Sequence, residues 1–333
     1  MGGRTLEQIY SDHPELRPTE VELENQAFVD SLSLESEADV EAAFKKFVEW
    51  FYQDESAYTH QLLEKLEAVE QSEAPQNIKE MVKLHLEKCE EVEHSKNDIK
   101  LRDAALGLIG DVKAGVDDSW SKFTNYDSIK VWYKREEGLG LYTFYCEKLV
   151  RAPLFNLLSI IAEAQTYKDW VPLLYRSDIM HEVSHFRKTG AFAVTVPWPW
   201  WNRQAFISVS AMPVDGERAI IINMQSLEGN TWLKGNTFER DPNATDVTVH
   251  FCSCHIESVS ENVQRLRFVC NVDPHFSGMP QWLLNQAIKG IAVVFLKKVA
   301  RKAEKLSDQY KALIEEKAAF YNQVEERLAR AFR

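Results

Sequence analysis

Few residues in this chain have the types and spacing that chemistry requires. His181 and His185, in H-E-V-S-H, are separated like a zinc-binding pair on a helix, but the segment around them reads as a strand. His250, Cys252 and Cys254 share one strand face, yet a metal there needs a second Cys or His pair at ligand spacing, which the chain lacks. A cysteine nucleophile needs an activating base and an exposed thiol, and neither is evident beside Cys252 or Cys254. No glycine-rich phosphate loop follows a strand. What remains is His255, which falls with Ser253 in an otherwise apolar alternation. An imidazole there suits hydrogen bonding to the polar head of a bound molecule, and its plainer alternative is a core histidine with local partners. Binding is therefore expected ahead of catalysis, with no metal and no cofactor.

The elements that position His255 are a hairpin and its neighbours. Asp246 to Ser260 and Gln264 to Asp273 alternate as two strands turning at Glu261-Asn262. With Ser260 opposite Val263 and uninterrupted pairing, Phe251 opposes Val272, Ser253 opposes Cys270, and His255 opposes Phe268. Phe251, Ser253, His255, Phe268 and Cys270 then share one face, read as buried, while Arg265, Arg267 and Asn271 point the other way. Asn223 and Gln225 alternate on the strand Ile220 to Leu227 and join the candidate ligand contacts, although their other reading is a solvent face. Arg187 suits a phosphate if it faces inward.

Taken in order, residues 1–34 read as irregular, and two amphipathic helices follow, from Glu37 to Val69 and from Asn77 to Ile109. Strands are expected at Ser128 to Glu136, Leu141 to Val150, Arg176 to His185 and Ala191 to Val196, with a helix over Ala152 to Asp169. A hairpin of Gln204 to Met212 and Arg218 to Leu227 precedes a long polar connection carrying Trp232, Leu233 and Phe238. Pro280 opens a helix whose broad apolar face includes Leu284 and Ile288, and the run from Ile291 to Arg333 contains neither Pro nor Gly. That order predicts an α+β arrangement, an antiparallel sheet curled around the last helix. Its C-terminal extension, residues 306–333, is expected to pack on the helices of an acidic N-terminal region, residues 1–118.

Composition sets the class. Of 333 residues, 45% are hydrophobic and 27% charged, ordinary values for a globular chain. Residues 1–118 carry 12 basic and 28 acidic side chains, and the remainder 27 and 23. So acidic a chain is a poor general binder of nucleic acid, whose phosphates need basic footprints. Its longest uncharged apolar run, Gly290 to Leu296, is far short of the roughly 20 residues of a membrane helix. The opening M-G-G-R-T-L reads neither as a secretory signal nor, with Leu6 where Ser or Thr belongs, as a myristoylation site. Five cysteines without framework spacing read as reduced, mostly buried thiols of a cytoplasmic protein.

Three runs carry a family resemblance: Y-D-S-I-K-V-W-Y-K-R-E from Tyr126, V-P-W-P-W-W-N-R from Val196, and P-H-F-S-G-M-P-Q-W-L-L-N-Q-A-I-K-G from Pro274. In this order and spacing, residues 119–305 resemble the START (steroidogenic acute regulatory protein-related lipid transfer) family, nearest to its phosphatidylcholine-transfer and ceramide-transfer branches. The resemblance implies a helix-grip fold that holds one lipid in an interior tunnel, with His255, Ser253, Phe251, Phe268, Asn223, Gln225, Arg187, Leu284 and Ile288 as candidate contacts. Trp198, Trp200, Trp201, Trp232, Leu233 and Phe238 become candidates for a gate and for transient membrane contact. Sterol-binding members carry a buried acid–base pair, and the corresponding positions here fall on Gly190 and on Val209 or Ser210. The implied ligand is thus phospholipid, ceramide-like or sterol, in falling order. Two other functions fit the same residues: a lipid-gated adaptor whose residues 1–118 bind a protein partner, and a small-molecule enzyme on a helix-grip fold.

Overall fold

A computed structural model describes residues 18–115, 119–126, 128–136, 142–214, 217–227, 231–232, 236–276 and 281–331. It divides into two compact units, Met1–Lys100 with Glu325–Arg333, and Leu101–Val324. The expected boundaries at residues 118 and 305 therefore move.

In the first unit, helices α1 (Glu20–Ser31), α2 (Glu37–Tyr52), α3 (Ser56–Ala68) and α4 (Gln76–Lys88) enclose a core of their own. Helix α1 occupies a stretch expected to be irregular. Its start is a capping box, in which Thr19 accepts from the Glu22 backbone and Glu22 accepts from that of Thr19. Trp50 is fully buried and donates its indole N–H to the buried Asn25 Oδ1 at 3.0 Å, so neither polar group is left without a partner. The two long helices expected here are each broken. Asp54, at φ 60°, takes a left-handed turn between α2 and α3, and Cys89, in an extended conformation, separates α4 from α5 (Glu90–Ala114). Helix α5 contributes its residues up to Lys100 to the first unit and the rest to the second.

The second unit is built on a sheet. Among the described residues its strands are β1 (Trp120–Tyr126), β2 (Ile129–Arg135), β3 (Tyr142–Val150), β4 (Leu174–Glu182), β5 (Arg187–Val194), β6 (Asn202–Val214), β7 (Ala219–Ser226), β10 (Ala244–Asp246), β11 (Thr248–Ser260) and β12 (Val263–Asp273). Two short strands, β8 (Thr231–Trp232) and β9 (Asn236–Thr237), pair separately. The order across the main sheet is β1-β2-β3-β12-β11-β7-β6-β5-β4, antiparallel throughout, with β10 added parallel to β6. This is the expected α+β class, with every hairpin formed between neighbours in sequence except the step from β3 to β12 and the step from β7 to β11.

Helix α6 (Leu154–Ala162) ends earlier than expected and continues as a 3-10 turn, Ala164–Asp169. Helix α7 (Gln281–Glu304) is the long closing helix. The single helical run expected beyond it is broken twice, giving α8 (Asp308–Glu316) and α9 (Ala318–Ala331). Within the second unit these two pack on the 3-10 turn and α6. Tyr310 Oη lies 2.7 Å from Thr166 Oγ1, Lys317 Nζ is 2.7 Å from Glu163 Oε2, and Tyr321 donates to Glu163 Oε1 at 2.8 Å. Glu163 is almost wholly buried, so a lysine and a tyrosine on the C-terminal helices replace the water its carboxylate gives up.

Candidate functional site

Cross-strand pairing sorts the central sheet into rows. One row runs Val131, Cys146, Phe268, Cys254, Ile222 across β2, β3, β12, β11 and β7. The next runs Tyr133, Phe144, Cys270, Cys252, Met224. Both point toward α7, since the Phe268 ring meets Phe295 edge to face at 5.7 Å, and Phe295 stacks on Trp170 at 5.9 Å. Over these five strands the two rows carry no charged side chain, and beyond β7 the second continues through Val209 to the pair Lys188 and Glu182. Tyr133, Phe268, Cys270, Cys252 and Met224 are only partly covered, although they lie toward the middle of the sheet. Burial pushes the thiols of Cys146 and Cys254 up, which leaves them neutral and inert. Such a wall can hold apolar matter and little else.

The rows between point the other way. Trp132, Tyr145, Val269, Ser253, Asn223, Ser210 and Arg187 form one, and Lys130, Glu147, Arg267, His255, Ile221 and Met212 the other. This face is covered by the end of α5: Ala105 and Leu106 pack with Met212 and Ile221, and Ile109 and Val112 with Tyr145, Val269 and Phe251.

The face assigned from sequence is corrected by this register. His255 opposes Arg267, not Phe268, and Ser253 opposes Val269, because a bulge between Ser258 and Ser260 shifts the pairing by one. A shift of one residue sends every side chain to the other side. His255, Ser253, Phe251, Asn223 and Arg187 thus lie on the α5-covered face, and Phe268 on the α7-facing wall. Gln225, two residues on from Asn223, lines a cavity of about 390 Å³ with Phe206, Arg240, Asp246, Thr248 and His250. The side chains of Leu284 and Ile288, on α7, lie outside the described residues.

His255 is fully buried and sits in a charge network. Arg267, itself 1% exposed, donates from Nη1 to His255 Nδ1 at 3.1 Å and reaches Glu257 Oε2 at 2.7 Å and Glu147 Oε2 at 3.3 Å. Burial, with the Arg267 and Lys113 charges nearby, pushes the imidazole down to about 4. Although burial opposes it, hydrogen bonds from Lys130 and Tyr145 hold the Glu147 carboxyl below its ordinary value. Ser253 donates to Asn223 Oδ1 at 2.8 Å. Arg267, Glu147, Glu257, Ser253 and Asn223 find partners within this layer, as does His255 Nδ1, while the buried His255 Nε2 has no hydrogen-bond partner among the described residues. Opposed charges at Glu147 and Arg267 were a signal for the true register.

The Pro-Trp-Pro run joins β5 to β6. Trp198, ahead of a cis Pro199, is 91% exposed and Trp201 63% exposed. Trp200 is half-buried against Phe276 at 6.0 Å. Phe238 is buried on Phe206, so it belongs to the core and not to an exposed gate. Leu233, and the side chain of Trp232, lie outside the described residues. Arg203 ties the run down, donating to the Pro274 carbonyl at 2.6 Å and the His275 carbonyl at 3.2 Å. A Cβ at Gly190 would meet the Phe192 ring at 2.8 Å and the Asp178 carbonyl at 3.2 Å, so a side chain there requires the ring to shift.

No protein-family profile matches the chain, and no curated protein sequence does either. Solved structures do. Human STARD10 is similar over 64% of this chain and 83% of its own, at 16% identity and a TM-score of 0.53. Human StAR-related lipid transfer protein 5 is similar over 62% of this chain and 96% of its own, at 11% identity and a TM-score of 0.51. At such identities the likeness is one of fold, and with the sheet order and the closing helix it establishes that this chain carries a START-like helix-grip fold preceded by a helical region.

Proposed function

We propose that this chain binds a single lipid against the α7-facing wall and carries it between membranes, and that the lipid is a phospholipid or another acyl lipid. The observation that supports this is the wall itself, where Phe144, Phe268, Cys252, Cys270 and Met224 lie side by side without a charge. Covering such a face with an acyl chain is favourable by about 0.8 kcal/mol per buried CH₂. Position 190 is a glycine, and a carboxylate there would have to displace the Phe192 ring, which speaks against the acid–base pair of a sterol site. Exposed Trp198 and Trp201, with Leu173 and Tyr175 also exposed, supply the kind of amphipathic rim that enters a lipid interface. Among the described residues no helix is long and apolar enough to cross a membrane, so contact by this rim would be peripheral.

Native mass spectrometry of the purified chain, with lipid extraction, tests the reading. One copurified acyl lipid per chain is expected, and transfer of a fluorescent phosphatidylcholine between vesicles separates a carrier from a protein that only holds its lipid. A chain that neither copurifies with lipid nor takes it up from vesicles would overturn the proposal. A second reading has its own support: residues of α1 to α4 enclose a separate core, as a partner-binding adaptor module would.

A further inference from the structure

Four of the five cysteines converge on one face of the sheet. Cys146 stands on β3, Cys270 on β12, and Cys252 and Cys254 on β11. Cys252 and Cys270 are directly opposed across the β11–β12 pair, so their side chains stand on the same face. Cys146 and Cys254 are buried, whereas these two retain accessible surface. Directly opposed residues of an antiparallel pair hold their β-carbons about 4.5–5.5 Å apart. A disulfide needs about 3.5–4.5 Å. Closing the gap is therefore a local adjustment of two strands already in register.

We infer that Cys252 and Cys270 form a dithiol that closes to an intramolecular disulfide on exposure to a peroxide or a small-molecule disulfide. The two sulfurs lie on the wall proposed to hold the lipid, so the chain is stripped of lipid before it is oxidised. Attack can begin at either sulfur, with the other resolving it, and the balance is the same. With hydrogen peroxide, the first thiolate takes one oxygen and the O–O bond breaks, leaving a sulfenic acid and hydroxide. The second attacks that sulfur, the S–S bond forms and water leaves. Each thiol loses one electron, the peroxide gains two, and both thiol protons end in water. With a small disulfide the same electrons pass through a mixed disulfide at the first sulfur and release two small thiols. The product pins β11 to β12 beside Phe268, in the wall that faces α7.

The full chain, reduced and then freed of reductant, is treated with a few equivalents of hydrogen peroxide or with glutathione disulfide. Remaining thiols are capped with N-ethylmaleimide in denaturant, and the chain is digested with trypsin. Capped thiols are expected to fall from five to three, with the tryptic peptide from Asp241 to Arg265 joined to that from Phe268 to Lys289. Cys254 shares the first peptide with Cys252, so Cys254→Ser is expected to keep the link, while Cys252→Ser and Cys270→Ser each abolish it. Five capped thiols after treatment, either of the two cysteines oxidised or glutathionylated without a link, or a link that persists in Cys252→Ser would overturn the assignment. Fragmentation of the linked wild-type peptide decides which sulfur is joined even where a variant fails to fold.

Discussion

Arg267 and His255 face each other across β11 and β12, both buried, with the guanidinium donating to the imidazole Nδ1 at 3.1 Å. An arginine only donates, so this bond requires Nδ1 to be unprotonated and puts the ring hydrogen on Nε2, 3.6 Å from Glu217 Oε2. The histidine is thereby held neutral, as an acceptor in a charge layer beneath α5. It lies on the face away from the α7-facing wall and does not reach a ligand there.

That neutrality sets a pH dependence. The His255 imidazole sits at about 4 in the folded chain against an ordinary 6.5, so as pH falls the unfolded chain takes up the proton first. Its contribution is complete above pH 6.5 and is lost as pH falls through that value toward 4. A difference of this size amounts to on the order of 3 kcal/mol. His255→Gln is expected to show a flatter loss of stability between pH 7 and pH 4.5 in urea unfolding. Parallel pH profiles for the two chains would count against the assignment.

Removing Arg267 leaves Glu147 and Glu257 with a buried partner missing. Arg267→Met is expected to cost about 3–5 kcal/mol, the range for breaking one side of a buried pair. Adding Glu147→Gln to that variant should recover part of the loss, because the second change removes the stranded charge. Chemical denaturation of the single and double variants gives the coupling directly.

At the far end of the unit, Tyr321→Phe removes one of the hydrogen bonds that satisfy the buried Glu163 carboxylate. The expected cost is about 1–3 kcal/mol, as for a bond to a charged group. Deleting residues 307–333 takes away Tyr310, Lys317 and Tyr321 together, and amide exchange in α6 and the turn Ala164–Asp169 should speed up. Unchanged protection there would show that the C-terminal helices are passengers.

Trp198 and Trp201 make a contrasting pair of predictions. At 91% and 63% exposure they contribute little to the core, so Trp198→Ala with Trp201→Ala should leave stability within about 0.5 kcal/mol. Sedimentation with phosphatidylcholine vesicles is expected to drop several-fold in the same variant. Undiminished vesicle binding would remove these residues from the proposed rim.

On the wall itself, Met224→Trp adds bulk in a row whose members are only partly covered. Copurified lipid per chain should fall while the urea midpoint shifts by no more than about 1–3 kcal/mol in stability. Full lipid occupancy in this variant would place the ligand elsewhere.

The sequence by itself determined the class of fold. Alternation located β2 to β7, β11 and β12 to within a few residues, and the apolar stretch after Pro280 foretold the closing helix. Its local signals were underused at Thr19 and Glu22, whose spacing announces α1. What alternation was unable to decide is which face of the sheet meets α7. Both faces are covered, one by α7 and the other by the end of α5, so apolar residues occur on each and period-2 reading has no solvent side to anchor it. One bulge near Ser258 then reverses the assignments from Gln264 to Asn271 relative to β11, and with them the role of His255. Only the tertiary structure, by pairing Arg267 with Glu147, Glu257 and His255, decides that the charged row turns toward α5 and the cysteine row toward α7. The physical reason is desolvation: buried charges must lie where their opposites are, and that constraint acts between strands far apart in the chain.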